Sequence, residues 1–191
     1  MSHKTLENLA KAFAGESQAR NRYNMYWKIA KQEGYEQIAA IFEETANQER
    51  MHAKLLFQMI QELKGDIKEI KIEAGVPTGF GKTEENLQYA AEGENYETEI
   101  MYPEFAKIAE EEGLMKIAAK FKLIAQAEKH HQERYEKLLK NIKEGKVFKK
   151  DSKVFWVCRE CGYMYFSEEA LEKCPCCEHE KSFMQTMEEN F

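Results

Sequence analysis

The sequence lacks several features that would place the chain in other classes of protein. No hydrophobic run approaches the roughly 20 residues that a membrane-spanning helix requires, and the first residues lack the hydrophobic core of a secretory signal. The net charge is −6, and no dense cluster of lysine and arginine is present. Binding to nucleic acid requires a basic surface that neutralises phosphates. We therefore expect a cytoplasmic protein that binds neither nucleic acid nor membranes.

Cysteine is missing from most of the chain, and all five cysteines lie in the last 34 residues. In a cytoplasmic protein, Cys-x-x-Cys pairs are interpreted first as metal ligands. The spacing suits a single iron as well as a structural zinc, because both ions accept four thiolates. We predict that residues 147–191 form a small domain in which a bound metal compensates for a limited core. The pairs are Cys158 with Cys161 and Cys174 with Cys177. Cys176 is either a spare thiol or a competitor of Cys177 for the metal.

Residues 1–146 have the composition and periodicity of long amphipathic helices. Charged residues make up 32% of the chain and hydrophobic residues 43%, which is typical of soluble helical proteins. A glycine interrupts each half of the helical pattern, at Gly34 and Gly113, and residues 65–82 form a longer connection between the halves. This order predicts a mainly α fold, a ferritin-like four-helix bundle with one long crossover, followed by the small β-rich domain.

The same construction appears twice along the helical part of the chain. Each copy has a lone glutamate on one helix and a Glu-x-x-His pair on the next, and the second glutamate lies 33 positions after the first in the first copy and 34 in the second. Residues three apart share a helix face, so the two members of each pair can bind one ion together. A four-helix bundle uses this ligand set to hold a pair of iron or manganese ions. The candidate ligands are Glu16, Glu49 and His52 in the first copy and Glu94, Glu128 and His131 in the second.

The four glutamates of this set lie on faces that the helical pattern predicts to be buried. Burying an ionised glutamate without a partner is costly, and a pair of metal ions removes that cost. Carboxylate-rich ligation favours iron or manganese over copper or zinc. Taken singly, each residue could be a solvent-exposed glutamate or an ordinary histidine. Their common register across an internal repeat favours the metal site.

The second copy contains one residue more than the first, just after its lone glutamate. The offset between the copies is 78 for Glu16 and Glu94 but 79 for Tyr23 and Tyr102, so the extra residue lies beside Glu97. A helix can absorb one inserted residue as a single π-helical turn, and such turns are frequent at functional sites. The alternative is that the insertion is absorbed at the end of the helix. We predict a π-bulge at Glu97.

These segments together resemble the rubrerythrin family, and the resemblance covers essentially the whole chain. It implies a non-haem di-iron peroxidase that reduces hydrogen peroxide to water and acts in oxidative stress. It also implies a homodimer in which the C-terminal domain of one subunit serves the bundle of the other. The resemblance rests on residues 12–23, on Glu49-Arg-Met-His52-Ala-Lys, on Glu94 and Glu97 with Met101-Tyr-Pro103, and on Glu128-x-x-His131.

The resemblance also assigns roles to individual residues. Glu49 and Glu128 would bridge the two irons. Glu97 and His52 would alternate as ligands of one iron as its oxidation state changes, because ferric iron is harder and prefers the added carboxylate. The implied ligands of the two irons are Glu16, Glu49, His52, Glu94, Glu97, Glu128 and His131.

Two tyrosines and the cysteine domain complete the implied site. Tyr23 and Tyr102 are similar to tyrosines near the metals and could donate hydrogen bonds to peroxide, although Tyr102 could equally be an ordinary core residue. The four paired cysteines resemble a rubredoxin site and would hold one iron. Electrons from an external reductase or rubredoxin-type protein would pass through it singly. Glu178 stands where rubredoxins usually have glycine, which puts the hydrogen bonding around those sulfurs in question.

Two other functions are compatible with such a bundle. A ferritin-like protein that oxidises or stores iron is the main alternative, but storage needs no dedicated electron entry. The other is a structural bundle with a zinc-bound tail and no catalysis. Iron content and the visible spectrum would distinguish the three.

Overall fold

The structure is a computed structural model, and it describes residues 4–187. Four helical rods of similar length form a bundle, and a three-stranded sheet follows them. The third rod consists of two α-helices joined by one π-helical segment. The helices are α1 (Lys4–Gln32), α2 (Glu36–Leu63), α3 (Thr83–Tyr96), the π-helix (Glu97–Met101), α4 (Tyr102–Glu111) and α5 (Met115–Lys143).

The order of the helices gives two hairpins joined by one long crossover. α1 packs along α2, and the third rod packs along α5. Gly34 and Gly113 close the two short turns with φ values of +79° and +76°, a backbone conformation that glycine adopts without strain. In the crossover, Ile70 and Ile72 pack against the bundle core. The predicted ferritin-like bundle is confirmed.

The hydrophobic core of the bundle is divided into two clusters along the helix axes. One cluster contains Leu9, Leu56 and Phe121 among others, and the second contains Tyr26 and Phe42. Each rod contributes residues to both clusters. In each rod, a buried glutamate lies between the residues that belong to the first cluster and those that belong to the second. The interior therefore has a polar layer with hydrophobic packing above and below it. None of the helices in the described part of the chain is long and hydrophobic enough to cross a membrane.

The π-helix lies where the internal repeat contains its extra residue. It covers Glu97–Met101 and is continuous with the α-helices on either side. The insertion is thus absorbed inside the helix and not at its end, which confirms the predicted π-bulge.

The C-terminal part is a small antiparallel sheet with strand order β2-β1-β3. Its strands are β1 (Lys149–Cys158), β2 (Met164–Glu169) and β3 (Met184–Thr186). Trp156 is fully buried between the sheet and the cysteine loops, and its Nε1–H donates to the carbonyl of Ser167 at 3.0 Å. The predicted β-rich domain is confirmed. The division of the chain after residue 146 stays a prediction, and it falls between α5 and β1.

Candidate metal centres

The polar layer of the bundle is built by helical spacing. Thr45, Glu49 and His52 continue the buried face of α2, so the glutamate and histidine point into the bundle. Four glutamates in this layer are at most 1% exposed, and one histidine is 3% exposed. Such burial of ionisable groups requires strong compensation. The buried residues of the layer are Glu16, Glu49, Glu94, Glu128 and His131.

The donor atoms of this layer form two groups of four that share two members. Within each group, one atom from every residue lies within 4.8 Å of the others. Glu49 and Glu128 belong to both groups. The arrangement therefore provides two neighbouring ion sites with two carboxylates in common. The first group is Glu16, Glu49, His52 and Glu128, and the second is Glu49, Glu94, Glu128 and His131.

Each histidine faces the shared carboxylates through its Nδ1 atom. His131 Nδ1 lies 2.8 Å from Glu128 Oε2 and 3.1 Å from Glu49 Oε1. His52 Nδ1 lies 2.9 Å from Glu128 Oε1 and 2.9 Å from Glu49 Oε2. The two oxygens of Glu128 thus face different histidines. This is the arrangement expected of a carboxylate shared by two cations.

Several of these close contacts are not aligned as hydrogen bonds. In the described part of the chain, both oxygens of Glu128, Oε1 of Glu49 and Nδ1 of His131 are buried without a hydrogen-bond partner. One oxygen each of Glu16 and Glu94 is in the same situation. Buried polar atoms are normally paired, so oxygens and a nitrogen that converge without pairing fit a site that binds cations. Carboxylates with two imidazoles fit iron on donor type.

Glu97 lies beside the polar layer but belongs to neither four-residue group. It is half-buried at the start of the π-helix and lines a cavity of about 720 Å³ between α1, the third rod and the crossover. Gly15 and Arg22 line the same cavity. A Cβ atom at Gly15 would lie 4.0 Å from Glu97 Oε1. His52, by contrast, is a member of the first group.

Both candidate tyrosines donate hydrogen bonds to glutamates of the layer. Tyr23 Oη donates to Glu94 Oε1 at 2.6 Å, and Tyr102 Oη donates to Glu16 Oε1. Burial, followed by the charge of the accepting carboxylate, raises the pKa of both tyrosines. The hydroxyls therefore stay protonated at neutral pH and hold one oxygen of each glutamate.

The acidic groups of the layer compete for few positive charges. Burial and then the neighbouring carboxylates raise the pKa of Glu16, Glu94 and Glu97 well above the ordinary value. Burial acts in the same direction on Glu49, but the close imidazoles of His131 and His52 outweigh it and lower the pKa of Glu49 to about 2. The side chains thus ionise together only when cations are supplied.

In both histidines of the layer, burial lowers the pKa, but the neighbouring carboxylates raise it by more. Burial alone would lower the pKa of His131, but the contacts with Glu128 and Glu49 raise it to about 9. Contacts with Glu128, Glu16 and Glu49 likewise overcome burial and raise the pKa of His52. Without metal, protonated histidines therefore supply the positive charge that the carboxylates need.

The four paired cysteines converge at the edge of the C-terminal sheet. Cys158 Sγ lies 3.6 Å from Cys177 Sγ, and Cys161 Sγ lies 3.6 Å from Cys174 Sγ. Two sulfurs bound about 2.3 Å from a tetrahedral metal lie roughly 3.8 Å apart, so the spacing fits a metal and is too long for disulfides. Backbone N–H groups of Cys177 and Cys176 overcome burial and lower the pKa of Cys174 to about 6.

Each cysteine pair lies on a tight loop. Gly162 follows the first pair with φ +75°, and Glu178 follows the second with φ +63°. Their N–H groups donate to the carbonyls of Cys158 and Cys174 at 2.9 Å. Glu178 thus adopts the left-handed conformation of the glycine it replaces, at a strain of about 1 kcal/mol. The backbone hydrogen bond that glycine would allow is kept.

Comparison with known proteins identifies a family that matches both the bundle and the C-terminal domain. The model described as Rubrerythrin matches residues 7–139, and the model described as the rubredoxin-like domain of rubrerythrin matches residues 156–185. The chain belongs to the rubrerythrin family. A putative rubrerythrin of Methanocaldococcus jannaschii is 54% identical over 98% of this chain and 94% of its own length. The rubrerythrin of Nitratidesulfovibrio vulgaris is 46% identical over 96% of this chain and 94% of its own length.

Solved structures with the same fold extend the comparison. A partially reduced nigerythrin is 36% identical, with a TM-score of 0.66 over 98% of this chain and 88% of that one. A Desulfovibrio desulfuricans bacterioferritin is 29% identical, with a TM-score of 0.65 over 75% of this chain and 82% of that one. Rubrerythrin membership and the two sets of donor atoms together assign the cofactors. The bundle has a di-iron site of carboxylates and histidines, and the C-terminal domain has a four-cysteine iron site.

Cys176 is exposed and lies outside the four-sulfur group. A Cys176→Ser variant should therefore keep the iron of the C-terminal domain, because none of the four converging sulfurs is removed. The matched variant Cys177→Ser, one residue away, should lose it. Iron analysis and the visible absorption of the iron–thiolate site measure both. Loss of the spectrum in Cys176→Ser would show that Cys176 replaces Cys177 as a ligand.

One contact of the layer was not expected from the motifs. His131 Nε2, the nitrogen that faces away from the shared carboxylates, lies 2.9 Å from Gln48 Oε1. Gln48 precedes Glu49 on α2, and neither charge nor spacing singles it out. The available signal is a break in the internal repeat. At the offset of 79, Gln48 corresponds to Ala127.

Proposed function

We propose that the protein is a non-haem di-iron peroxidase that reduces hydrogen peroxide to water. The observation that carries this proposal is the pair of donor groups sharing Glu49 and Glu128, in a chain that also has a four-sulfur site. When bound, the two bundle irons would supply together the two electrons that cleavage of the O–O bond requires. The residues that would hold iron are Glu16, Glu49, His52, Glu94, Glu97, Glu128 and His131 in the bundle and Cys158, Cys161, Cys174 and Cys177 in the C-terminal domain.

Glu97 and His52 are proposed to exchange as ligands of the same iron. His52 Nδ1 lies 3.7 Å from Glu16 Oε2, beside the oxygens that both sites share. Glu97 lies at the edge of the layer, where it lines the cavity together with Arg22. A carboxylate stabilises the harder ferric ion better than an imidazole does, so Glu97 would be the ligand of the oxidised iron and His52 that of the reduced iron.

The tyrosines are proposed to keep the terminal carboxylates in place. The hydrogen bond from Tyr23 to Glu94 and that from Tyr102 to Glu16 each leave one carboxylate oxygen free. That free oxygen is the one available to a cation. Donation from either hydroxyl to peroxide stays a prediction.

Electrons are proposed to enter singly through the C-terminal domain, from an external reductase or rubredoxin-type protein in the cytoplasm. Within one chain this domain contacts the turn between α1 and α2, where the rings of Tyr35 and Phe148 stack at 6.1 Å. Thirteen residues of α2 separate Glu36 from Glu49, roughly 20 Å at 1.5 Å per residue. Electron tunnelling weakens steeply over such a distance.

A homodimer would shorten this path, because the C-terminal domain of a second subunit could dock near the metal layer. Phe155 and Phe166 form an exposed aromatic pair on that domain, with ring centroids 4.9 Å apart. Met51 and Phe57 are exposed on α2 on either side of His52 along the chain. These hydrophobic surfaces support the proposal that the C-terminal domain, residues 147–191, docks on the bundle of the partner subunit and delivers electrons there.

Ferritin-like iron oxidation or storage is the second candidate, because the bundle also superposes on a bacterioferritin. The two functions differ in iron content. A peroxidase of the proposed kind holds about three irons per chain, whereas a storage protein holds a mineral of hundreds of irons per assembly. Iron analysis of the purified protein after aerobic iron loading separates them.

A Glu97→Ala variant tests the proposed exchange. We expect peroxide turnover to fall by about tenfold to a hundredfold, the range typical of partners close to a metal site, while the iron content changes little. Glu99→Ala is the matched control, because Glu99 is an exposed glutamate of the same π-helix. Turnover is measured as peroxide-dependent oxidation of a reduced electron donor. Undiminished turnover in Glu97→Ala would remove Glu97 from the mechanism.

A further inference from the structure

A chain of side chains connects His131 to the surface between α2 and α5. His131 Nε2 lies 2.9 Å from Gln48 Oε1, and the Nε2–H₂ group of Gln48 donates to Glu44 Oε1 at 3.1 Å. Arg134 donates to the same Glu44 oxygen at 3.1 Å and to Thr45 Oγ1 at 2.7 Å. The glutamine is half-buried, and Glu44 at the outer end is exposed. The network is therefore anchored on both helices.

The direction of these hydrogen bonds is determined by Glu44. Its ionised carboxylate only accepts, so the amide nitrogen of Gln48 must face it. The amide oxygen of Gln48 then faces His131 and requires a proton on Nε2. Nδ1 of His131 then faces Glu49 and Glu128, where the donor atoms converge, and a metal bound there would replace its proton.

From this geometry we infer that Gln48 is a positioning residue for His131. Gln48 holds the imidazole in the Nε2–H form and in the ring orientation that presents Nδ1 to the metal. The partner of a ligating histidine on its second nitrogen commonly does this. The inference rests on the proposed iron-binding role of His131, but it does not depend on peroxide being the substrate.

The internal repeat supports the inference, because the residues at the equivalent positions near His52 cannot form the same network. At the offset of 79 that relates Glu49 to Glu128 and His52 to His131, every polar member of the network is replaced by a hydrophobic residue. These side chains have no atom that could accept from the second nitrogen of His52. The corresponding pairs are Gln48 and Ala127, Glu44 and Leu123, Thr45 and Ile124, and Arg134 and Leu55.

His52 and His131 therefore occupy equivalent positions in the repeat, but they differ in the hydrogen bonding of their second nitrogen. His131 is held by a network and is 3% exposed, whereas the side chain of His52 is 16% exposed. In the described part of the chain no hydrogen bond holds the second nitrogen of His52, so His52 can move without breaking one, whereas His131 cannot. This difference leaves His52 able to exchange as a ligand. Gln48 supports His131, the histidine that stays in place.

A Gln48→Leu variant tests this assignment, because leucine has a similar size but cannot accept a hydrogen bond. The full chain is stripped of metal and titrated with Co²⁺ against a chromophoric chelator. We expect one bundle ion to bind about tenfold to a hundredfold more weakly. The four-cysteine site, followed by its thiolate absorption in the same sample, should be unchanged. Gln132→Leu is the matched control, since Gln132 is also a half-buried glutamine and follows His131, and its side chain donates to Asn95 and Glu136, not to a histidine.

A second measurement needs no substitution and reports on the hydrogen bond itself. In the Zn²⁺-loaded, ¹⁵N-histidine-labelled protein, exchange of the Nε2–H proton with solvent should be at least about tenfold slower for His131 than for His52. In Gln48→Leu the His131 proton should exchange quickly. Such a change would not follow from loss of helix packing alone, which circular dichroism of the variant checks.

The outcomes separate this inference from the proposed function. If the wild-type chain binds only the ion of the four-cysteine site, the di-iron proposal fails and the role of Gln48 fails with it. If the wild-type chain binds three ions and Gln48→Leu binds them with equal affinity and a protected His131 proton, only the role of Gln48 is overturned. Selective weakening of one bundle ion, with Gln132→Leu unchanged, establishes it.

Discussion

A Glu128→Gln variant is expected to lose both bundle irons, so that the iron content falls from about three per chain to about one. Peroxide reduction should fall by roughly a hundredfold or more, beyond the usual loss for an outer-shell partner. Glu128 belongs to both donor groups, and its two oxygens face His52 and His131 at 2.9 and 2.8 Å. An amide replaces one of these oxygens by a donor, which cannot bind a cation.

Iron analysis and steady-state peroxide turnover measure this prediction together. Glu133→Gln is the matched control, because Glu133 is an exposed glutamate on the same helix. The four-cysteine iron should remain in both variants and serves as an internal standard. A Glu128→Gln protein that retains three irons would contradict the shared role of this carboxylate.

Protein stripped of metal is expected to lose stability as the pH rises from about 5 to about 9. Burial raises the pKa of Glu16, Glu94 and Glu97 above 4.5, and the neighbouring carboxylates raise that of His131 from 6.5 to about 9. The folded chain therefore binds more protons than the unfolded chain over this range, and each proton lost with rising pH costs stability.

The size of the effect is several kcal/mol. His131 alone, with a pKa of about 9 in the folded chain, accounts for about 3 kcal/mol between pH 6 and 9. Glu49 has the opposite sign, because its pKa is lowered to about 2, and it reduces stability only as the pH falls below about 4.5. The metal-stripped protein should thus be most stable in mildly acidic solution.

Urea unfolding of the metal-stripped chain at several pH values measures this dependence. The metal-loaded protein is the control, and its stability should change little over the same range, because bound cations keep the carboxylates ionised and the histidines neutral. A Glu94→Gln substitution should reduce the slope in the stripped protein. Rising stability between pH 5 and 9 without metal would contradict the burial of these acids in one layer.

Much of the bundle and its metal layer follows from the order of residue types along the chain. Glu49 and His52 continue a hydrophobic stripe at helical spacing, so their position on the inward face of α2 is a consequence of helix geometry alone. The position of the π-helix follows from counting, because the two copies differ by one residue near Glu97. Both are local properties of single helices, which sequence patterns report well.

The support around the histidines could not be predicted in this way. The bond between Gln48 and His131 joins α2 to α5 and depends on the side chains that face each other when the rods pack. The position of Glu97 outside both donor groups is likewise a matter of packing, since its spacing from Glu94 allows it to reach either the layer or the cavity. Spacing along one helix does not define either relation.

The amino-acid sequence by itself determined the kinds of donors, their register in two repeated hairpins and the separate cysteine domain. Helical periodicity and Cys-x-x-Cys spacing are short-range, so these conclusions need no knowledge of the packing. The resemblance implied that Glu49 and Glu128 are shared, and the tertiary structure brought their oxygens into both donor groups. Only the tertiary structure decided that a hydrogen-bonded network supports His131 and, among the described residues, not His52. Those relations depend on atoms brought together from different helices, and a few ångströms of packing decide them.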